Sequence, residues 1–306
     1  MGYGLIFAGQ GMQHADMLPW LAPDPLTTLV SSRLGVENWR ARLADPQWAF
    51  VNVNAQILLT GMNLAAWSQI SPALPAPVAV AGYSVGELAS FAAAGVFDGA
   101  TALALAQARA NAMDHCAAMA PGALMAVSAL SVSQVEQICA LYGIAISIEN
   151  DSHALVVGGP QASLDAAAIE FDGQRARCTR LNVGLASHTR WMLPAVQEFA
   201  QVFSAEFMAS SIRAPRIPLF CNAVDRVVRV DQVAQALSSQ IAQTVRWSNC
   251  MENIYARRVS CVLEVGPGAS LARMWNQRYP DVPARSCDEF SSVSAIAGWV
   301  LRNAND

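Results

Sequence analysis

The order of apolar and polar positions between 78 and 94 predicts a strand, a sharp turn and a helix in immediate succession. Val78-Ala79-Val80-Ala81 is a continuous apolar run, as a strand buried on both faces requires. It meets Gly82-Tyr83-Ser84-Val85-Gly86, and Glu87-Leu88-Ala89-Ser90-Phe91 then opens a helix that reaches about Ala94, with Gly95 as its stop. Leu5-Ile6-Phe7-Ala8 predicts a second short buried strand, leading into Gly9-Gln10-Gly11-Met12-Gln13. Ala, Leu and Trp at helical spacing cover much of 47–69, until Ser71-Pro72 and Pro75-Ala76-Pro77 end the pattern. Another alanine-rich helix is expected over Thr101–Cys116, with Asp98 or Thr101 near its N-cap.

The units shorten after Pro121-Gly122. Strands at Leu124–Val127, Ile144–Ile148, Ala154–Gly158 and Arg177–Val183 alternate with helices at Ser131–Tyr142 and 161–171. This predicts a small α+β unit over 121–188, inserted between 1–120 and 189–306 of a larger α/β body. The body continues with helices at 191–210, 231–242 and 247–257 and strands at Ile217–Cys221 and Val259–Val265. Gly266-Pro267-Gly268 then turns into a final helix.

With 306 residues, 54% hydrophobic and only 14% charged, the chain can bury a large core and does not read as disordered. A net charge of −4 supplies no basic field for nucleic acid, so an anionic substrate would need a local cation. Every apolar segment is interrupted well short of the roughly 20 residues of a membrane span. Met1–Phe7 has neither the basic flank nor the apolar length of a secretory leader. Seven scattered cysteines, with no Cys-x-x-Cys pair, predict reduced buried thiols in a cytoplasmic protein. The four histidines, His14, His115, His153 and His188, lie too far apart for metal-ligand spacing, so no metal is expected.

Gly-x-Ser-x-Gly between a strand and a helix is the setting of a nucleophile elbow. The glycines allow a tight turn that lifts the Ser84 hydroxyl, and the following helix aims free N–H groups and its positive end at the same spot. That suits acyl transfer, in which a carbonyl oxygen becomes negative. The base is sought among the histidines. His188, in Asn182-Val183-Gly184-Leu185-Ala186-Ser187-His188-Thr189, follows a strand and sits among small residues, as either a catalytic base or a surface-loop histidine would. Gln10, in the Gly-rich loop, and Val85, just after the serine, are candidate N–H donors for an oxyanion. Arg109 stands alone in an apolar helix, where it either snorkels to water or faces a buried anion such as a substrate carboxylate.

Taken in order, these motifs resemble the malonyl-CoA:acyl-carrier-protein transacylases over nearly the whole chain. Phe7–Gln13 is similar to that family's Phe-Pro-Gly-Gln-Gly-Ser-Gln loop, and Gly82–Glu87 to its Gly-His-Ser-x-Gly-Glu elbow. Arg109–Met113, Met125–Leu130, Glu149-Asn150-Asp151, Leu181–His188, Gln240, Val245–Ser248 and Glu264–Gly268 match further segments. The resemblance implies a hydrolase-like body with a mainly parallel sheet and an inserted ferredoxin-like subdomain. It implies Ser84 as nucleophile, His188 as base and acid, and the Gln240 carbonyl orienting the imidazole in place of an acid. Gln10 and Val85 would form the oxyanion hole, Arg109 would clamp the malonyl carboxylate, and Tyr83, Ser187 and Asn150 would line the pocket. Malonyl-CoA is implied as substrate and an acyl carrier protein as partner, with no bound cofactor.

Three positions depart from the pattern: Ala8 replaces proline, Tyr83 replaces histidine, and Ser187-His188-Thr189 replaces Phe-His-Ser. The Gly-Tyr-Ser-Val-Gly-Glu-Leu wording resembles the epsilon subunit of malonate decarboxylase, which implies that decarboxylase's carrier subunit as the acceptor. Fatty-acid or polyketide transacylase, thioesterase and a silent carrier-docking scaffold are the alternatives. A thioesterase would need an acid such as Asp151, Asp165 or Asp172 behind the histidine.

Overall fold

The computed structural model describes residues 2–207 and 212–304. Its strands are β1 (Gly2–Phe7), β2 (Ala79–Gly82), β3 (Ala123–Ser128), β4 (Ala145–Asp151), β5 (Ala154–Gly159), β6 (Arg177–Arg180), β7 (Leu219–Phe220), β8 (Arg226–Val227), β9 (Val245–Arg246), β10 (Val259–Val265) and β11 (Ala284–Ser286). They form two sheets in an α/β fold.

The larger sheet has the order β11-β10-β1-β2-β7-β8 and is parallel except at β8. Its central strands are the apolar runs of the sequence, with Leu5, Ile6, Phe7, Val80, Ala81 and Leu263 inaccessible to water. Register decides where the chemistry sits. Phe7 pairs with Gly82 on one side and Val265 on the other, so β1, β2 and β10 end level. The loops carrying Gln10, Ser84 and Gly266 therefore leave the same edge, the carboxyl end where open α/β sheets bind ligands.

Helix Asn52–Ile70 is buried along most of its length and packs against helix Gly99–Met119. Asp98 takes the N-cap of the latter, accepting from Thr101 N at 2.8 Å. A helix so enclosed is apolar all round, which leaves each polar residue on it in need of a partner.

The smaller sheet has the order β6-β3-β5-β4-β9. Strands β3 to β6, with helices Val132–Tyr142 and Gln161–Gly173, run in the βαββαβ order of a ferredoxin-like unit. Val127, Val135, Ile138, Val157, Leu164 and Phe171 fill its core. The sheet also takes a strand from outside 121–188: β9 pairs parallel to β4.

Several elements differ from expectation. The helix expected over 47–69 is two, Pro46–Ala49 and Asn52–Ile70, separated by extended Val51. The strand at Arg177–Val183 stops at Arg180, and 181–188 becomes the irregular approach to His188. The expected helix 191–210 contains a π-turn at Phe203–Phe207, and its last residues, 208–210, lie outside the described residues. The helix after Gly268, Ser270–Arg278, is followed by β11 and by helix Val293–Ala304. Among the described residues no helix is long and apolar enough to cross a membrane.

Candidate active site

Ser84 has φ 53°, in the left-handed region that an L-residue enters at a cost of about 1–2 kcal/mol. Its neighbours make room for that turn. A Cβ on Gly82 would lie 2.1 Å from the Gly86 carbonyl oxygen, and one on Gly86 would lie 2.5 Å from that of Phe7. The peptide of Ser84 is gripped at both ends. Its N–H donates to Asn222 Oδ1 at 2.8 Å, and its carbonyl accepts from Gln240 Nε2 at 2.7 Å. Asn222 Nδ2 also donates to the Gly82 carbonyl at 2.7 Å, so one carboxamide spans the elbow.

The structure joins Ser84 to His188 across 104 residues of chain, with Oγ 2.8 Å from Nε2. His188 Nδ1 lies 2.6 Å from the Gln240 carbonyl oxygen. A carbonyl can only accept, so Nδ1 carries the proton and Nε2 is left to accept from the serine hydroxyl. Burial, and then the charge of Arg109, push the His188 pKa down to about 3, against the hydrogen bond to Gln240. The imidazole is neutral at physiological pH, as a base must be.

Among the described residues no acid stands behind His188; the Gln240 carbonyl holds that place. Asp151 pairs with Arg278 and Asp165 with Arg180, both away from the imidazole. The other candidate histidines are also placed elsewhere: His14 pairs with Asp288 at 3.3 Å and His115 with Glu198 at 2.9 Å, both largely exposed.

The first loop lies against the elbow, since a Cβ on Gly9 would meet the Tyr83 carbonyl oxygen at 2.6 Å. Because Asn222 occupies the Ser84 N–H, the next free amide is that of Val85. Among the described residues neither the Val85 nor the Gln10 backbone N–H has a protein partner. Two cavities flank this point. One, about 450 Å³, is lined by Gln10, Asn52, Asp114 and 182–185; the other, about 440 Å³, by His188, Arg190, Glu149 and Arg246.

Arg109 does not snorkel: it is 2% exposed. Its Nη1 donates to Gln56 Oε1 and its Nη2 to Gln240 Oε1, both at 2.7 Å. Burial lowers its pKa to about 10, opposed by Glu87, so it stays charged. Glu87, in the first turn behind Ser84, is pushed up to about 8 by burial, against the Asn222 N–H at 2.7 Å and the charge of Arg109.

Tyr83 turns toward the smaller sheet, where its hydroxyl donates to Asn150 Oδ1 at 2.9 Å and its ring meets Trp247 edge-on at 5.4 Å. Ser187 is buried beside His188, and its carbonyl accepts from Ser147 Oγ at 2.8 Å.

The same geometry has relatives. The acyl transferase domain model matches residues 45–306. The chain belongs to the acyl transferase family. It is 30% identical over 272 residues to the polyketide biosynthesis malonyl CoA-acyl carrier protein transacylase of Bacillus velezensis, covering 86% of this chain and 92% of that protein. It is 29% identical to the malonyl CoA-acyl carrier protein transacylase of Mycobacterium tuberculosis, covering 96% and 98%. The crystal structure of FabD from Acinetobacter baumannii superposes with a TM-score of 0.87 at 26% identity, covering 98% of each chain.

Sequence reading alone missed Gln56, Asn222 and Glu87. Gln56 carries the signal that drew attention to Arg109, a polar side chain inside an apolar helix. Asn222, two residues past the two-residue strand Leu219–Phe220, carries none.

Proposed function

We propose that this acyltransferase moves a malonyl group from malonyl-CoA, through an ester on Ser84, to the thiol of an acyl carrier protein of fatty-acid or polyketide synthesis. Arg109 carries the reading. It is a buried cation held by neutral amides within the hydrogen-bond network of the nucleophile. A buried cation hydrogen-bonded to neutral amides rather than to a carboxylate is costly, so an acyl group ending in a carboxylate gains most from this site.

In the first half-reaction Ser84 Oγ attacks the thioester carbonyl carbon while His188 Nε2 takes its proton. The negative oxygen meets the Val85 and Gln10 N–H groups, each such donor contributing about 3 kcal/mol. Collapse breaks the C–S bond, and His188 returns the proton to the departing CoA sulfur. The carrier thiol then gives its proton to His188 and attacks the ester carbonyl. Ser84 leaves, recovering the proton. The Gln240 carbonyl holds the imidazole in the required tautomer throughout.

Arg109→Ala is expected to slow acylation by malonyl-CoA by on the order of 10²–10³-fold, while acylation by acetyl-CoA changes far less. Equal losses would remove Arg109 from its role. Tyr83 before the nucleophile carries a second reading, in which the acceptor is the carrier subunit of malonate decarboxylase. The names of the relatives favour fatty-acid and polyketide carriers, and offering the acyl-enzyme each purified carrier separates the two.

A further inference from the structure

We propose that Tyr83 is a positioning residue: its ring, anchored through the hydroxyl on Asn150, holds the first loop and the elbow at the separation that the two oxyanion N–H donors need. The inference rests on the acylation of Ser84 proposed above and adds a residue that acts through Gln10 and Val85.

The two donors belong to different segments. Val85 follows Ser84 on the elbow, whereas Gln10 lies on the loop after β1, so no local backbone geometry fixes their spacing. Tyr83 adjoins both. Its peptide is tied on either side, with its N–H donating to the Phe7 carbonyl at 2.9 Å and its carbonyl accepting from the Gly86 N–H at 3.0 Å. Its ring lies beside Gly9, the residue before Gln10: a Cβ on Gly9 would stand 2.9 Å from Tyr83 Cδ1. Glycine lets the loop backbone rest directly on the ring, and the ring then limits how near the loop can come.

The ring is fixed in turn from the smaller sheet. Trp247 meets it edge-on at 5.4 Å, and its hydroxyl donates to Asn150 Oδ1 at 2.9 Å. Burial raises the phenol pKa, so the hydroxyl keeps the proton it donates. Asn150 is aimed by an irregularity in β4. Glu149 pairs with Leu155 and Asp151 with Ala154, which leaves Asn150 as an extra residue in the strand. Bulges of this kind redirect a side chain and gather beside active sites. The pairing of β4 skips a second residue, Ser147, whose Oγ holds the carbonyl of Ser187 next to His188 at 2.8 Å. Both irregularities turn a polar side chain onto the neighbour of a reacting group.

An oxyanion donor is effective only within hydrogen-bond distance of the place the negative oxygen will occupy. Freeing the ring lets the Gln10 amide drift from that place and removes an interaction made only in the transition state. The rate then falls while binding of the acyl donor is kept. The carbonyl oxygens of malonyl and acetyl thioesters become negative alike, so both esters suffer the same loss.

The test is pre-steady-state acylation of the full chain by malonyl-CoA and by acetyl-CoA over a range of concentrations, read by intact mass, beside the thermal midpoint. Tyr83→Phe is expected to lower the limiting rate with both esters by on the order of 10–10²-fold, with the half-saturating concentration unchanged. Asn150→Ala is expected to reproduce that loss, and Asn150→Asp, which keeps an acceptor oxygen, to recover most of it. The double variant Tyr83→Phe/Asn150→Ala is expected to lose no more than either single one. A wild-type limiting rate in Tyr83→Phe, a loss confined to the malonyl ester, or additive losses in the double variant overturns the proposal. So does a lowered midpoint whose only kinetic effect is a smaller fraction of chain acylated. A wild type that forms no ester on Ser84 overturns the proposed function, and this inference with it, before any variant is compared.

Discussion

Ser84 shows how much of the site's order is spent on one residue. Its strained backbone is held by Asn222 from one side and Gln240 from the other, and the occupied Ser84 N–H leaves Val85 as the next free amide. His188 is the second such case. Its folded pKa, about 3, lies below the ordinary 6.5, so the neutral form is the stable one and protonation is resisted. Its contribution to stability is present above pH 6.5 and is lost as pH falls from there toward 3. For kcat/KM, which reports the free enzyme, the acylation profile is expected to be flat between about pH 5 and 7. A limb with an apparent pKa near that of ordinary histidine would contradict the buried geometry. Ser84, His188 and Arg109 were legible because each is an unusual residue in its local pattern. Asn222 and Gln56 were not, because what they do depends on partners 138 and 53 residues away.

At the scale of elements, the elbow works because β1 and β2 end level and glycines let the backbones touch. Gly86→Ala places a methyl group against the Phe7 and Ala8 carbonyl oxygens, at 2.5 and 2.6 Å. We expect it to cost about 1–3 kcal/mol, read as a lowered denaturation midpoint. An unchanged midpoint would mean that the elbow and first loop do not pack this closely. The main strands and helices follow from apolar period and caps, Asp98 and Ser131 among the latter. The strand expected over Ile217–Cys221 pairs only at Leu219–Phe220, and the two-residue strands β8 and β9 are too short to carry a period. Helical spacing also overran at 240–242. After the helix Val233–Ser239, Ile241 and Ala242 donate only three residues back, to Ser238 and Ser239, and the carbonyls of Gln240 and Ile241 are taken by His188, through Nδ1 and through its backbone N–H at 2.8 Å, so no further helical turn forms. Tertiary hydrogen bonds override local propensity there.

Across the whole molecule, the two sheets meet around the reacting groups. Tyr83 reaches from the elbow to Asn150 on β4, Ser147 on β4 reaches the Ser187 carbonyl, and Thr244 Oγ1 donates to the Ile146 carbonyl at 2.9 Å. The pairing of β9 with β4 ties the later part of the chain to the small sheet. That alternation was legible in the shortening of units after Pro121, whereas β9 was not, since it exists only by virtue of its partner. The central claim is that this assembly makes a malonyl ester on Ser84. Incubation with malonyl-CoA, with acetyl-CoA as comparison and Ser84→Ala as control, followed by intact mass, tests it most directly. We expect a malonyl adduct that forms in preference to acetyl and is absent from Ser84→Ala. Steady release of CoA with no adduct, or an adduct that survives the substitution, would contradict it.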